Sequence, residues 1–189
     1  VQGYRRADGR ARLLGWVGVP LQSDRMLGVH GWVDLSKQET RQLIVAHVAD
    51  LIALGGFDGV QLNVETVPNH DPHFLSLLEE LRKAIGSDRL LSIAGSQWVP
   101  DAVNLLPPVR NLRWTRSYYR HVAQRVDQIA AMTYDSHTFH PALYRLWMRE
   151  QVKGLSESLA GLDTELLIGI SVSHEETSGH RVRVEDLRS

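Results

Sequence analysis

Three polar side chains alternate along one short stretch of the chain, and their types suit acid–base chemistry. In residues 57–65 they are Gln61, Asn63 and Glu65, separated by apolar residues. Successive side chains of a strand point to opposite faces, so these three groups would share one face. Glu65 would stand at the carboxyl end of the strand, where parallel α/β proteins place their chemistry. We predict a functional site there; the alternative is a polar strand end hydrogen-bonded to a neighbouring loop.

Composition and charge describe an ordinary globular protein. The chain has 189 residues, with 21 Lys and Arg against 22 Asp and Glu, and no Cys. This length suits a single domain over residues 1–189. The balanced charge gives no overall field that would attract nucleic acid or a membrane, and the absence of Cys excludes disulfides and thiolate metal sites. No apolar run reaches the roughly 18 residues of a membrane span. The chain begins with Val rather than Met, which is compatible with a removed leader or a longer N-terminal part.

Strand and helix patterns alternate along the chain. Strands are predicted at residues 13–19, 57–65, 90–94, 126–134 and 166–172, and helices at residues 36–55, 72–85, 117–125 and 141–159. This alternation predicts a parallel sheet with right-handed crossovers. A doubly wound open sheet and part of an eight-stranded barrel both fit, and the pattern alone favours the open sheet. No Gly-rich phosphate loop follows the first strand, which weakens a nucleotide-binding version.

Local signals predict where two helices begin and end. Ser36 and Glu39 form the S-x-x-E pattern of a capping box, in which each side chain satisfies a free N–H of the other residue. Asp71 is a favourable N-cap, and Pro72 suits the first helical position. Gly55 and Gly56 are predicted to end the first helix, and Gly86 is placed to stop the second.

Two motifs resemble those of a known family. Residues 58–65 read D-G-V-Q-L-N-V-E, and residues 132–135 read M-T-Y-D. They resemble the D-G-x-D-x-D-x-E signature and the M-x-Y-D of the sixth strand in family-18 glycoside hydrolases, the chitinase-like enzymes. Residues 90–94 and 166–170 resemble the fifth and seventh strands of that family. The resemblance implies an α/β fold of the (β/α)8 TIM-barrel type, of which this chain covers about strands three to seven.

The family's chemistry would fall on three residues here. The resemblance implies that Glu65 is the general acid/base of a retaining glycosidase and that Tyr134 hydrogen-bonds the acetamido oxygen of the sugar. Asn63 stands where the family has an aspartate that orients the acetamido group. The implied substrate is an N-acetylhexosamine-containing polysaccharide of the chitin or peptidoglycan type, and the implied location is extracellular or at the cell envelope.

Two amides in place of aspartates open an alternative. Gln61 and Asn63 replace the middle aspartates of the motif, so the chain could be a catalytically impaired, carbohydrate-binding pseudoenzyme on the same fold. Asp135 is a candidate to supply the missing charge, and Met132 is expected either to line the pocket or to fill the core. An unrelated open-sheet protein with a structural Glu65 is a third possibility.

Several aromatic and basic residues also qualify for binding. Trp98 and Trp32 lie where an indole could stack on a sugar ring, whereas core packing is expected for Trp16. A basic stretch carries interleaved aromatic rings, a pattern that can bind single-stranded nucleic acid, but a solvated helix face is favoured and no nucleic-acid partner is predicted. The stretch comprises Arg110, Arg113, Trp114, Arg116, Tyr118, Tyr119 and Arg120.

Histidines are frequent in the segments that follow strands. His137 and His140 are candidates for metal ligands, but no compact ligand pattern such as H-E-x-x-H is present. Exposed loop histidines are the favoured interpretation, so we expect no metal and no cofactor.

Overall fold

The computed structural model describes residues 11–22, 31–100, 113–177 and 179–185. Strands and helices alternate through these ranges. The strands are β1 (Leu14–Pro20), β2 (Gly59–Glu65), β3 (Leu90–Gly95), β4 (Gln128–Met132) and β5 (Glu165–Gly169). The helices are α1 (Gln38–Gly55), α2 (Pro72–Ile85), α3 (Arg116–Ala123) and α4 (Pro141–Leu159).

The five strands form one parallel sheet in the order in which they occur in the chain. Right-handed crossovers between successive strands place every connecting helix on the same face of such a sheet. A doubly wound sheet instead reverses its strand order and carries helices on both faces. The sequential order is therefore that of consecutive strands in a (β/α) barrel, and the open-sheet alternative is wrong. The other face of the sheet is called the inner face below.

The alternation in β2 separates core from site as predicted. Val60 and Leu62 are fully buried and Val64 nearly so, while Gln61, Asn63 and Glu65 lie on the inner face. Buried residues of α2 join these valines and leucine in one hydrophobic core: Phe74, Leu77, Leu78 and Leu81. Burying a side chain of this size contributes about 1.5–3 kcal/mol, which fixes the register of β2 because a one-residue slip would expose all three.

Most of the predicted helix ends are confirmed. The Asp71 side chain accepts hydrogen bonds from the N–H groups of His73 and Phe74, and Pro72 opens α2. Gly56 ends α1 with a φ of 64°, and Gly86 follows α2 with a φ of 74°, conformations that favour glycine.

The predicted capping box is wrong. The N-cap of α1 is Lys37, which makes no side-chain capping bond. The Ser36 hydroxyl donates instead to Asp34 at 2.6 Å. An acidic side chain two residues upstream therefore competes successfully for the serine that the pattern assigns to the helix.

β4 is shorter than predicted because its ladder ends before Tyr134. The Thr133 hydroxyl donates to the Gly169 carbonyl at 2.7 Å, and the Thr133 N–H turns back to Ala131. Tyr134 thus begins the loop after the strand.

Among the described residues, no helix is both long and apolar enough to cross a membrane.

Candidate active site

A row of polar side chains crosses the inner face below Glu65. Gln61, Ser92, Gln128 and Glu165 are register partners on four successive strands. The Ser92 hydroxyl donates toward the amide oxygens of Gln61 and Gln128, and Gln128 Nε2 donates to Glu165 at 2.6 Å. Gln61 is thus held by its neighbours in the sheet. Its predicted contact with a substrate stays a prediction.

Asn63 and Glu65 interact directly at the end of β2. Asn63 Nδ2 donates to Glu65 Oε1 at 2.8 Å, and the Glu65 side chain is exposed. Asn63 Oδ1 is buried and accepts no hydrogen bond from any residue that the structure describes. A buried acceptor without a donor costs about 1–3 kcal/mol, so Asn63 Oδ1 is an unsatisfied acceptor at the end of β2.

Tyr134 shares the electrostatic environment of Glu65. The pKa of Tyr134 is raised by the partial burial of its ring, and then by the charges of Glu65 and Asp135, which oppose a phenolate. The Tyr134 carbonyl accepts a hydrogen bond from Gln97 Nε2, and its ring lies beside Gly169. The structure therefore places the Glu65 carboxylate where its charge acts on the Tyr134 phenol, although the two residues come from β2 and from the segment after β4.

The loop after Tyr134 has an unusual backbone and a buried partner. Asp135 and His137 have φ values of 54° and 58°, in the left-handed region that non-glycine residues rarely adopt. Glu185 is 1% exposed and accepts hydrogen bonds from the N–H groups of Asp135 and Ser136. His180 is also buried and donates from Nδ1 to Glu185 at 3.1 Å, since a carboxylate oxygen can only accept. Local patterns do not predict the contacts of Glu185 with Asp135 and Ser136, because these partners are about 50 residues apart.

The remaining predicted binding residues occupy different surroundings. Met132 is half-buried and pairs in register with Gly169, close to Tyr134. Trp32 is 78% exposed in the loop after β1. The half-buried Trp98 packs on the core, and its ring lies against Gly154 of α4. For Met132, Trp32 and Trp98 the contact with a sugar stays a prediction.

Trp16 differs from its expectation. Its indole is 66% exposed and lies over Gly18 on the inner face, in register with Gln61. The prediction that Trp16 packs in the core is therefore wrong within the described part of the chain.

The aromatic residues of the basic stretch belong to the core. Trp114, Tyr118 and Tyr119 are at most 1% exposed, so their rings have no free face for a nucleic-acid base. Arg113 is not a solvated charge either: burial lowers its pKa, and the nearby Asp135 acts in the opposite direction. Arg110 lies outside the described residues.

Histidines near the site have structural partners. His140 Nδ1 accepts the Ala142 N–H at 3.2 Å and caps α4, and the His137 N–H donates to the Gly179 carbonyl. Asp135, His180 and Glu185 bring ligand-type atoms within 4.8 Å of one another. Each Glu185 oxygen, however, already accepts two hydrogen bonds from N–H or O–H donors, which is the pattern of a hydrogen-bonded clamp.

A cleft of about 360 Å³ lies beside the loops that follow β1 and β2. Its walls include Leu21, Val33, Asp34, Asp71 and His73. The Asp34 pKa is lowered, mainly by the hydrogen bonds from the Ser36 hydroxyl and N–H. Glu65 and Tyr134 do not line this cleft, so the candidate site is the open inner face itself.

Comparisons with known proteins concern the family and the fold of the chain. Residues 22–178 match the family model described as glycosyl hydrolases family 18. No curated protein sequence matches the chain significantly.

Solved structures resemble the chain in fold. A protein of Bacillus subtilis described as the sporulation-specific glycosylase ydhD superposes with a TM-score of 0.65 at 18% identity, over 90% of this chain and 56% of its own. A chitinase of Chromobacterium violaceum gives 0.64 at 15% identity, over 89% and 51%. The chitinase domain of the spore coat protein CotE of Clostridium difficile gives 0.60 at 17% identity, over 89% and 51%. The chain thus spans about half the length of each of these structures.

Proposed function

The chain belongs to glycosyl hydrolases family 18, and from this premise we propose that it acts on N-acetylhexosamine-containing polysaccharide, with Glu65 as general acid/base. The observation that carries the proposal is the pairing at the end of β2. The Glu65 carboxylate receives one amide hydrogen of Asn63, while Asn63 Oδ1 lies buried beside it without a donor from the described residues. That pair offers a proton-transfer group next to an acceptor for an amide N–H.

Each residue has a defined role in the proposed reaction. The acetamido oxygen of the bound sugar attacks its own anomeric carbon, as in substrate-assisted glycosidases. The bond from that carbon to the leaving oxygen breaks, and the leaving oxygen takes the proton from Glu65. Tyr134 donates its hydroxyl hydrogen to the acetamido group, and Asn63 Oδ1 accepts the acetamido N–H. Water then opens the cyclic intermediate while Glu65 recovers the proton, which retains the configuration.

The neutral Asn63 limits the rate of this reaction. The cyclic intermediate carries positive charge, and a carboxylate about 4 Å away at an effective dielectric near 20 would contribute about 4 kcal/mol. This corresponds to a ceiling of roughly three powers of ten in rate. An amide keeps the hydrogen bond but supplies little of that charge stabilisation, so we expect slow turnover.

The amides at positions 61 and 63 favour a second candidate function, binding without turnover. Gln61 and Asn63 stand where the family motif carries aspartates. Asn63 Nδ2 also donates to one oxygen of the Glu65 carboxylate at 2.8 Å. A carbohydrate-binding pseudoenzyme would use the same face, with Glu65 as a hydrogen-bond acceptor for sugar hydroxyls.

Two measurements on the full-length protein separate these functions. Hydrolysis of chromogenic N-acetylglucosamine oligomers tests turnover, and calorimetric titration with the unmodified oligomers tests binding. Turnover supports the enzyme, and binding without turnover supports the pseudoenzyme. If the protein neither hydrolyses nor binds N-acetylhexosamine oligomers, both proposed functions are contradicted.

A further inference from the structure

We propose that Glu185 is a positioning residue for the site: it fixes the Tyr134–Asp135 segment from the far side, so that the Tyr134 phenol faces Glu65. The inference rests on the proposed function, because it concerns how the same site is held. It assigns a functional task to the segment after β5, which contributes neither of the two motifs.

The Glu185 carboxylate accepts three hydrogen bonds from the loop after Tyr134 and one from His180. Oε1 accepts from the Ser136 N–H at 2.9 Å and from the Ser136 hydroxyl at 2.6 Å. Oε2 accepts from the Asp135 N–H at 3.0 Å and from His180 Nδ1 at 3.1 Å. A buried carboxylate with four donors is well compensated, whereas the two loop N–H groups would be costly to leave without an acceptor.

The segment that carries Glu185 fits closely against this loop. The Gly179 carbonyl accepts the His137 N–H at 2.9 Å. A Cβ atom at Gly179 would lie 3.2 Å from Asp135 Cβ and 3.2 Å from the His137 ring, which is tighter than ordinary van der Waals contact. Buried His180 adds a further contact, since its Nε2 lies 3.5 Å from the Ser171 hydroxyl. The backbone of the loop is therefore held by contacts at several successive residues.

Tyr134 is held on its other side by β3. Gln97, which follows that strand and is buried, donates from Nε2 to the Tyr134 carbonyl. The next N–H along the chain, that of Asp135, donates to Glu185. The peptide group between Tyr134 and Asp135 is thus hydrogen-bonded at both of its polar atoms by side chains of two other elements. Such bonding leaves the phenol little freedom except rotation about its own side-chain bonds.

Loss of the hydrogen bonds to the Tyr134–Asp135 peptide group would change the geometry of the site more than the free energy of unfolding. Positive φ at Asp135 costs of order 1–3 kcal/mol and persists only where the surroundings enforce it. Without the Glu185 acceptor the loop can relax, and Tyr134 then moves relative to Glu65. An error of about 1 Å in a positioning group is enough to reduce activity severely.

The test compares two carboxylates that each accept a backbone N–H next to β4. The variant is Glu185→Gln in the full-length protein. The matched control is Asp127→Asn at the amino end of the same strand, since Asp127 accepts the Leu91 N–H at 2.7 Å and pairs with Arg82. We expect both substitutions to lower the thermal midpoint. Only Glu185→Gln should also weaken binding of N-acetylglucosamine tetramer, by about tenfold, the equivalent of one net hydrogen bond.

A second readout needs no sugar. With 13C-labelled tyrosine, the Tyr134 resonance, assigned through its loss in Tyr134→Phe, reports the surroundings of the phenol. Those surroundings include the charges of Glu65 and Asp135, with Arg113 and His180 also close to Asp135. We expect this resonance and its titration to move in Glu185→Gln and to stay in place in Asp127→Asn.

The outcomes separate the two proposals. If the wild type binds no N-acetylhexosamine oligomer, the proposed function fails while the resonance still tests the positioning role. A lowered thermal midpoint in Glu185→Gln with an unmoved Tyr134 resonance overturns that role, whatever the sugar affinity. If Glu185→Gln does not fold, His180→Phe removes one of the four donors and must move the same resonance by a smaller amount.

Discussion

The carboxyl ends of β2 and β4 hold their functional side chains in different ways. Glu65 is exposed, and its carboxylate accepts a hydrogen bond from Asn63 of the same strand. Tyr134 and Asp135 are fixed by Gln97 from the segment after β3 and by Glu185 from the segment after β5. The comparison teaches that the group expected to exchange a proton is lightly held, whereas the group expected to orient the sugar is strongly held.

The difference has a consequence for substitutions. A change at the β2 end should alter chemistry with little effect on the free energy of unfolding, because exposed side chains away from special contacts contribute within about ±0.5 kcal/mol. A change in the contacts that hold the β4 end should affect stability and geometry together. The following substitutions test this division.

The largest effect is expected for Glu65→Gln. If the full-length protein turns over N-acetylglucosamine oligomers, kcat should fall by about 10²–10⁴-fold, since the variant cannot transfer the proton. The thermal midpoint should barely change. Steady-state kinetics and calorimetry measure the two quantities, and turnover that survives the substitution would remove Glu65 from the mechanism.

Asn63→Asp should raise turnover by about tenfold or more, up to the ceiling of roughly a thousandfold set by the added charge. Gln61→Glu is the matched control because it adds the same charge to the inner face one row lower, where Gln61 contacts Ser92. Rates are compared on the same oligomers. Equal rates in the two variants would contradict the specific role of position 63.

Tyr134→Phe should lower kcat/KM by about tenfold, the loss of one net hydrogen bond to the sugar. The ring and its backbone contacts remain, so the thermal midpoint should change little. Tyr118→Phe is the control, because its buried hydroxyl donates to the Asp71 carbonyl at 3.0 Å. That control should lose stability and keep its kinetics; the reverse pattern would speak against the assigned role of Tyr134.

The smallest effect expected is the influence of the Glu65 charge, at the end of β2, on the pKa of Tyr134, after β4. The Tyr134 pKa is raised, in part by the Glu65 carboxylate, and a negative neighbour disfavours the phenolate. Glu65→Gln should therefore lower the pKa of Tyr134 toward its ordinary value. An NMR titration of labelled tyrosine measures the shift. An unchanged pKa would indicate that the charge of Glu65 does not act on the Tyr134 phenol.

Sequence reasoning performed best where a residue acts on its own neighbours. The Asp71 cap, the glycines that follow α1 and α2, and the alternation along β2 all depend on groups within four residues or on one strand. Ser36 shows the limit of such reasoning, because Asp34 lies within the same short segment and takes its hydroxyl. Local patterns identify the competing partners but not which of them binds.

Burial of the aromatic residues in the basic stretch was the clearest failure. Arg113, Tyr118 and Tyr119 suggested a solvated helix face, yet both tyrosines are fully buried and Arg113 is partly buried, whereas Arg116 is exposed. The hydrophobic effect depends on the area removed from water by the whole fold. A short stretch with alternating charge and aromatic character does not reveal how much of that area other elements cover.

The sequence by itself determined the parallel α/β alternation and the place of Glu65 at the end of β2, because both follow from residue types at short, regular spacing, and the resemblance of two motifs indicated the family. Only the tertiary structure decided that Asn63 directs its N–H at Glu65, and that Glu185 lies under the loop after β4. Those contacts depend on side-chain orientation and on residues about 50 positions apart. The distances become short only when the strands pair and the last described segment folds back against the sheet.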